Sequence, residues 1–167
     1  ALISGAEKEI YDLAVKGDIP VTTSPDGKTI IDENDSLWAG IAGSYGMDCA
    51  NQTIHDADLV IYVGTAVGDQ ITHDWKIPKL DTKVVQIDID GAELGRNYPN
   101  TIGLLGDAKV VVAQLLEKVN KVNRAEWRQE AAENLRKTME AYEPYMKSDA
   151  VPIRPERLCV EVSKALP

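Results

Sequence analysis

The stretch DADLVIYVGTAVGDQIT, residues 56–72, sets the terms for everything around it. Leu59 to Val63 is an unbroken, β-branched-rich apolar run, the length of one strand and short for a helix. No polar residue alternates within it, so it predicts a strand covered on both faces, as in a parallel sheet. Gly64 ends the run, and Gly68 follows before the polar Asp69, Gln70 and Thr72. In parallel α/β sheets, ligands gather beyond the carboxyl ends of strands, where glycine lets other atoms approach the backbone. A second strand, KVVQIDID at 83–90, ends in acids, and Asp88 lies 24 residues beyond Gly64. That is close to the spacing at which a Rossmann unit sets an acid on a ribose hydroxyl. The pair predicts a nucleotide-type crevice.

The flanking sequence supplies the helices such a sheet needs. Ser4 and Glu7 form a capping-box pattern ahead of Ile10, Leu13 and Ala14, predicting a helix from about Gly5 to Lys16 that Gly17 ends. Ile19 to Thr23 reads as a short strand stopped by Ser24-Pro25-Asp26-Gly27, and Leu37 to Ala42 as another. Met47 to His55 reads as a helix with Met47, Ala50 and Ile54 inward. Asp90 and Glu93 repeat the capping-box pattern for one short turn. Ile102–Leu105 is a last strand, and Gly106-Asp107 opens a long helix with Val111, Leu115, Leu116 and Val119 on its apolar side. A further helix carries Trp127, Ala131, Leu135, Met139 and Tyr142 at helical spacing, a stripe that reads as core. From Pro144 the character changes to a proline-marked linker and a final helix-like segment, PERLCVEVSKAL. Strands alternate with helices and nothing repeats, so the class is α/β with a parallel sheet.

Length and charge narrow the function. A chain of 167 residues can bury one domain's core. A net charge of −9 without a dense Lys/Arg cluster argues against nucleic acid and anionic membrane as partners. Cys49 and Cys159 lack metal-ligand spacing and read as buried thiols in a reducing compartment. With no ~20-residue apolar span and no signal peptide, the expected location is cytoplasmic. The sequon Asn51-Gln52-Thr53 then reads as chance.

Catalytic patterns are sparse. Gly27-Lys28-Thr29 resembles the end of a Walker A loop, but Thr22 stands where its first glycine belongs, and the G-x-G-x-x-G fingerprint does not occur. Gly40, Gly43 and Gly46 recur around Ser44 and Tyr45. They read either as a tightly packed strand-to-helix turn or as a backbone surface open to a ligand. His55 and His73 each precede an aspartate, and neighbouring side chains on a regular element point apart, so neither pair reads as a metal site. No nucleophile motif accompanies them.

Two runs, SLWAGIAGSYGMDCANQTIHDADLVIYVGTAVGDQIT (36–72) and KVVQIDIDGAELGRNYPNTIGLLGDAKV (83–110), carry a specific combination. AN-x-x-x-x-x-AD precedes the hub strand and GD-Q-x-T follows it; IDID-x-x-E-x-G-R and GD come after. The combination resembles the central domain of thiamine diphosphate-dependent enzymes, above all acetolactate synthase-like decarboxylases and carboligases. The likeness runs from Ala1 to about Leu116, and PIRPERLCVEVSKALP resembles the linker and first helix of these enzymes' diphosphate-binding domain.

The resemblance implies a Rossmann-like central domain at 1–147, flanked by helices, and the start of the next domain at 148–167. It implies a pyrimidine-binding and a diphosphate-binding domain as partners, with chemistry between those two at a subunit interface of a homo-oligomer. The activating glutamate and the Gly-Asp-Gly motif that carries Mg²⁺ and thiamine diphosphate belong to those domains; no Gly-Asp-Gly occurs here. The chain is therefore expected to be inactive alone, and its catalytic and metal residues are none. Family members bind FAD, ADP or nothing in the central domain. The corresponding lining residues are Ser24, Ala42, Gly43, Ser44, Gly64, Thr65, Asp88, Ile89 and Asp107. Ala66 and Gln70 replace two arginines and Gly68 an aspartate of FAD-binding members, which argues against FAD because guanidinium groups suit a diphosphate best. The family's first strand would lie upstream of ALISG, so a sheet lacking its first strand, and a fragment of a longer polypeptide, are expected. The alternative is a free-standing nucleotide-binding or interaction module that keeps the fold.

Overall fold

The computed structural model describes residues 1–166; Pro167, the last residue of the tail read above, lies outside the described residues. Among the described residues, five α-helices and five strands fall close to the predicted segments, with the strands in runs of two and three and the last three helices consecutive. Helix α1 spans Glu7–Gly17, β1 Val21–Thr23, β2 Trp38–Ile41, α2 Asp48–Asp56 and β3 Leu59–Val63. Then come β4 at Lys83–Asp88, β5 at Thr101–Leu105, α3 at Ala108–Lys118, α4 at Ala125–Met146 and α5 at Pro155–Ala165. The strands form two parallel sheets rather than one: β1–β2, and β3–β4–β5. The α/β class with parallel strands and flanking helices is therefore as expected.

Both sheets point the same way. The loops that leave the carboxyl ends of β2 and β3 meet, with the Ser44 amide donating to the Gln70 carbonyl at 2.7 Å. At the opposite end the Arg124 amide, beyond α3, donates to Asp18 just ahead of β1 at 2.8 Å. Helices bridge the sheets on each face. Ile10 of α1 packs with Ile30, Ile31 and Leu37 on the β1–β2 side and with Ile61, Ile87 and Val112 on the other. On the opposite face, Ala50 and Ile54 of α2 pack with Ala42, Val60 and Ile77. Alternate residues of β3 thus serve opposite layers: Ile61 and Val63 face α1 and α3, while Val60 and Tyr62 face away.

Several expectations need correction. β3 packs on both faces as expected, but Tyr62 is its sole buried member and Leu59 is exposed. The cause is a groove along its free edge, described below. The Ser4–Glu7 capping box does not form: Gly5 takes a left-handed conformation after a 3₁₀ turn, and the Ser4 hydroxyl donates to the Ala1 carbonyl instead. Gly17 lies inside α1, and Asp18 takes the left-handed cap. The cap amide closes onto the Ala14 and Val15 carbonyls. Asp90 accepts from the Ala92 amide, making a turn rather than a helix. Strand β4 stops at Asp88. Pro144 does not break the chain; it sits within α4. Cys49 is buried, and burial pushes its thiol upward, but Cys159 is exposed on α5, which packs chiefly along α4.

Candidate functional site

The nine residues that the resemblance implies lie at or just beyond strand carboxyl ends. Ser24 follows β1, Ala42 to Ser44 follow β2, Gly64 and Thr65 follow β3, Asp88 and Ile89 close β4, and Asp107 follows β5. Ser24, Ala42, Gly64 and Thr65 line one groove of about 460 Å³ between β1 and β3. Gly43, Ser44, Asp88, Ile89 and Asp107 do not line it.

Local structure has already claimed most of their polar groups. The Ser24 hydroxyl accepts from the Gly27 amide at 2.9 Å and caps a short 3₁₀ turn. Asp107 caps α3 by accepting from the Val110 amide at 3.2 Å. Asp88 accepts from the Asp90 amide at 3.0 Å, and Ile89 stands three-quarters exposed. The Gly43 amide donates to the Asn51 side-chain oxygen at 2.8 Å, and Asn51 returns a bond to the Gly43 carbonyl at 3.1 Å. Composition and spacing gave Asn51 no such role; its place in the AN-x-x-x-x-x-AD run was the one available signal.

Gly43 decides between the two readings of the spaced glycines. Its φ is +104°, and a Cβ there would overlap the Gln70 carbonyl oxygen. The space beside this turn is filled by the chain's own 64–72 loop, so tight packing is the reading that holds. A flavin dinucleotide needs free backbone donors and cations for its diphosphate, and this rim offers few. The Gly43 and Ser44 amides are spent on Asn51 and Gln70. The residues present do not fit FAD.

Two phenols outside the nine residues are buried. Tyr98, buried, donates to the Ile77 carbonyl at 2.7 Å, and burial pushes its phenol up to about 12. Tyr62 nearby is shifted upward more strongly for the same reason. His55 and Asp56 do not point apart: Nδ1 lies 2.8 Å from the Asp56 carboxylate, because the helix ends there and frees both side chains to turn. Among the described residues, no three His, Cys, Asp or Glu side chains are placed to share a metal ion. No helix among them is long and apolar enough to cross a membrane.

Comparison with known proteins follows the same lines as the geometry. Residues 1–115 match the family described as thiamine pyrophosphate enzyme, central domain. The chain is 31% identical to a probable acetolactate synthase large subunit of Methanococcus aeolicus, over 96% of this chain and 28% of that protein. It is 32% identical to the corresponding protein of Methanocaldococcus jannaschii, over 99% and 28%. With the acetolactate synthase of Arthrospira platensis it shares 36%, over 71% and 21%. The chain thus spans little more than a quarter of the length of the first two. A match across more than two-thirds of the residues, on a parallel α/β framework with its candidate rim at the strand carboxyl ends, establishes that the chain belongs to the central-domain family of thiamine pyrophosphate enzymes.

Proposed function

We propose that the chain is the central, scaffolding domain of an acetolactate synthase-like decarboxylase or carboligase, without turnover of its own. The supporting observation is that likeness to acetolactate synthase large subunits runs through 96–99% of the chain, α5 included, and not only through the central-domain match. On this reading residues 1–147 form the scaffold and 148–167 lead into a diphosphate-binding domain. Thiamine diphosphate and Mg²⁺ are held by the neighbouring domains of a cytoplasmic homo-oligomer. The nine rim residues mark where a nucleotide would lie, and the saturated hydrogen bonding of that rim favours a structural role.

The test is an assay of the purified chain with pyruvate, thiamine diphosphate and Mg²⁺, paired with an absorbance spectrum. No pyruvate consumption above a boiled control and no flavin band are expected. Turnover that survives repurification would overturn the scaffold reading. Stoichiometric flavin would instead favour the second reading, a nucleotide-binding module in its own right.

A further inference from the structure

The chain holds two Asp-Gly pairs, Asp26-Gly27 and Asp90-Gly91. Both aspartates are exposed, so solvent access does not separate them. The glycine nitrogen does. The Gly27 amide is tied into a 3₁₀ turn, donating to the Ser24 hydroxyl at 2.9 Å and to the Ser24 carbonyl at 3.0 Å. Gly91 is exposed, and among the described residues its amide donates no hydrogen bond. The Asp90 carboxylate meanwhile accepts from the Ala92 amide at 2.9 Å. The ring closed by that bond contains the Gly91 nitrogen, so the Asp90 side chain is folded back over the peptide that follows it. Glycine has no side chain to keep the two groups apart.

We propose that Asp90-Gly91 is a site of spontaneous modification, converting to isoaspartate in the folded chain while Asp26-Gly27 is protected. The Gly91 nitrogen forms a bond to Cγ of Asp90. The C–OH bond of the carboxyl group breaks, and its hydroxyl leaves as water with the amide proton, closing a five-membered succinimide. Water then opens the ring at either carbonyl. Opening at Cγ restores aspartate; opening at the carbonyl attached to Cα routes the main chain through Cβ and leaves a free α-carboxylate. Nothing is oxidised or reduced, and one water leaves for each that enters. The position gives the change a consequence. The Asp90 amide donates to the Asp88 carboxylate at 3.0 Å, and the Glu93 amide to the Asp90 carbonyl at 3.1 Å. Isoaspartate lengthens this turn by one methylene and displaces the acceptor of the Ala92 amide, so the bonds that fold the chain back after β4 lose their register. The inference rests on the two turns and stands whether or not the proposed function does.

Peptide mapping reads both sites at once, because trypsin releases them in separate peptides, residues 17–28 and 84–96. Purified chain, shown to be folded by circular dichroism, is incubated at neutral pH beside a portion held in urea. Isoaspartate in each peptide is measured by chromatographic separation from the aspartate form and by methyl incorporation with a protein isoaspartyl methyltransferase. In the folded chain, conversion at Asp90 should run at least ~5-fold faster than at Asp26, where a hydrogen-bonded amide has first to be released. In urea, which removes both turns, the two sites should convert at comparable rates. Gly91→Ala should bring conversion at Asp90 down to the rate at Asp26 or below. A Cβ there meets nothing nearer than Leu105 at 3.7 Å, so the turn accommodates it. Should that variant not fold, the comparison of folded with urea-held parent decides alone. Equal conversion at the two sites in the folded chain, faster conversion at Asp26, or an Asp90 that converts only in urea would each overturn the proposal. So would the same ratio of rates with and without urea, since the fold would then make no difference.

Discussion

Gly43 and Gly68 lie in adjoining segments and should behave in opposite ways. Gly43→Ala brings a Cβ into the Gln70 carbonyl at a φ of +104° and should cost roughly 2–4 kcal/mol by urea denaturation. Gly68→Ala meets nothing nearer than 3.8 Å and should lie within about 0.5 kcal/mol of the parent. Equal effects would show that the 43–46 turn is not packed as described. Tyr98 gives a pH signature. Its phenol is held near 12 in the folded chain against ~10 when unfolded, so the folded state keeps a proton that the unfolded state has lost. That contribution is fully present below pH ~10 and fades as pH rises towards ~12. Tyr98→Phe should flatten the alkaline loss of stability measured by pH-dependent unfolding, while costing about 1 kcal/mol at neutral pH for the lost bond to Ile77.

Element by element, the weakest attachment is α5. It packs chiefly along α4, and the 147–153 segment before it is largely exposed. Trypsin should therefore cut first after Lys147, leaving a folded product by mass spectrometry and circular dichroism. Early cleavage in α1, after Lys8 or Lys16, or after Lys83 of β4 would contradict the proposed boundary. The ion pairs along α4 contribute little by comparison: Arg136 bridges Glu133 and Glu140 on an open surface, and Arg136→Ala should leave the urea midpoint essentially unchanged. Periodicity made these elements legible: each of the five strands overlaps its predicted segment, because apolar runs of four to six residues bounded by glycine or acids suit little else. Caps were legible only in part. Asp107 caps α3 as its position suggests, whereas Ser4 is drawn into a preceding 3₁₀ turn that no local pattern announces. The rim residues could be placed at strand ends from sequence. That Asn51 and Gln70 consume the amides beside them depends on loop-to-loop contacts, which spacing cannot show.

For the whole molecule, residues 1–115 match the central domain of thiamine pyrophosphate enzymes, and the scaffolding role proposed above sets the expectations that follow. The absorbance spectrum of purified material should show no flavin band. If added ADP does bind, Asp88→Ala should weaken it by ~1.5–3 kcal/mol in a calorimetric titration, the contribution of a hydrogen bond to a charged group; an unchanged affinity would remove Asp88 from that site. Among the described residues no strand of one sheet pairs with a strand of the other, and the halves are joined by side chains of α1 and α2 and by loop contacts such as Ser44 to Gln70. Side-chain packing loosens more readily than a continuous ladder, so melting should lose its all-or-none character. The β1–β2 half, with its strands of three and four residues, should open first as a separate foldon. Scanning calorimetry should then return a van't Hoff enthalpy below the calorimetric one. Uniting the sheets into a single ladder should bring the two values together, so that the chain's heat signature becomes a direct measure of whether its halves unfold as one body.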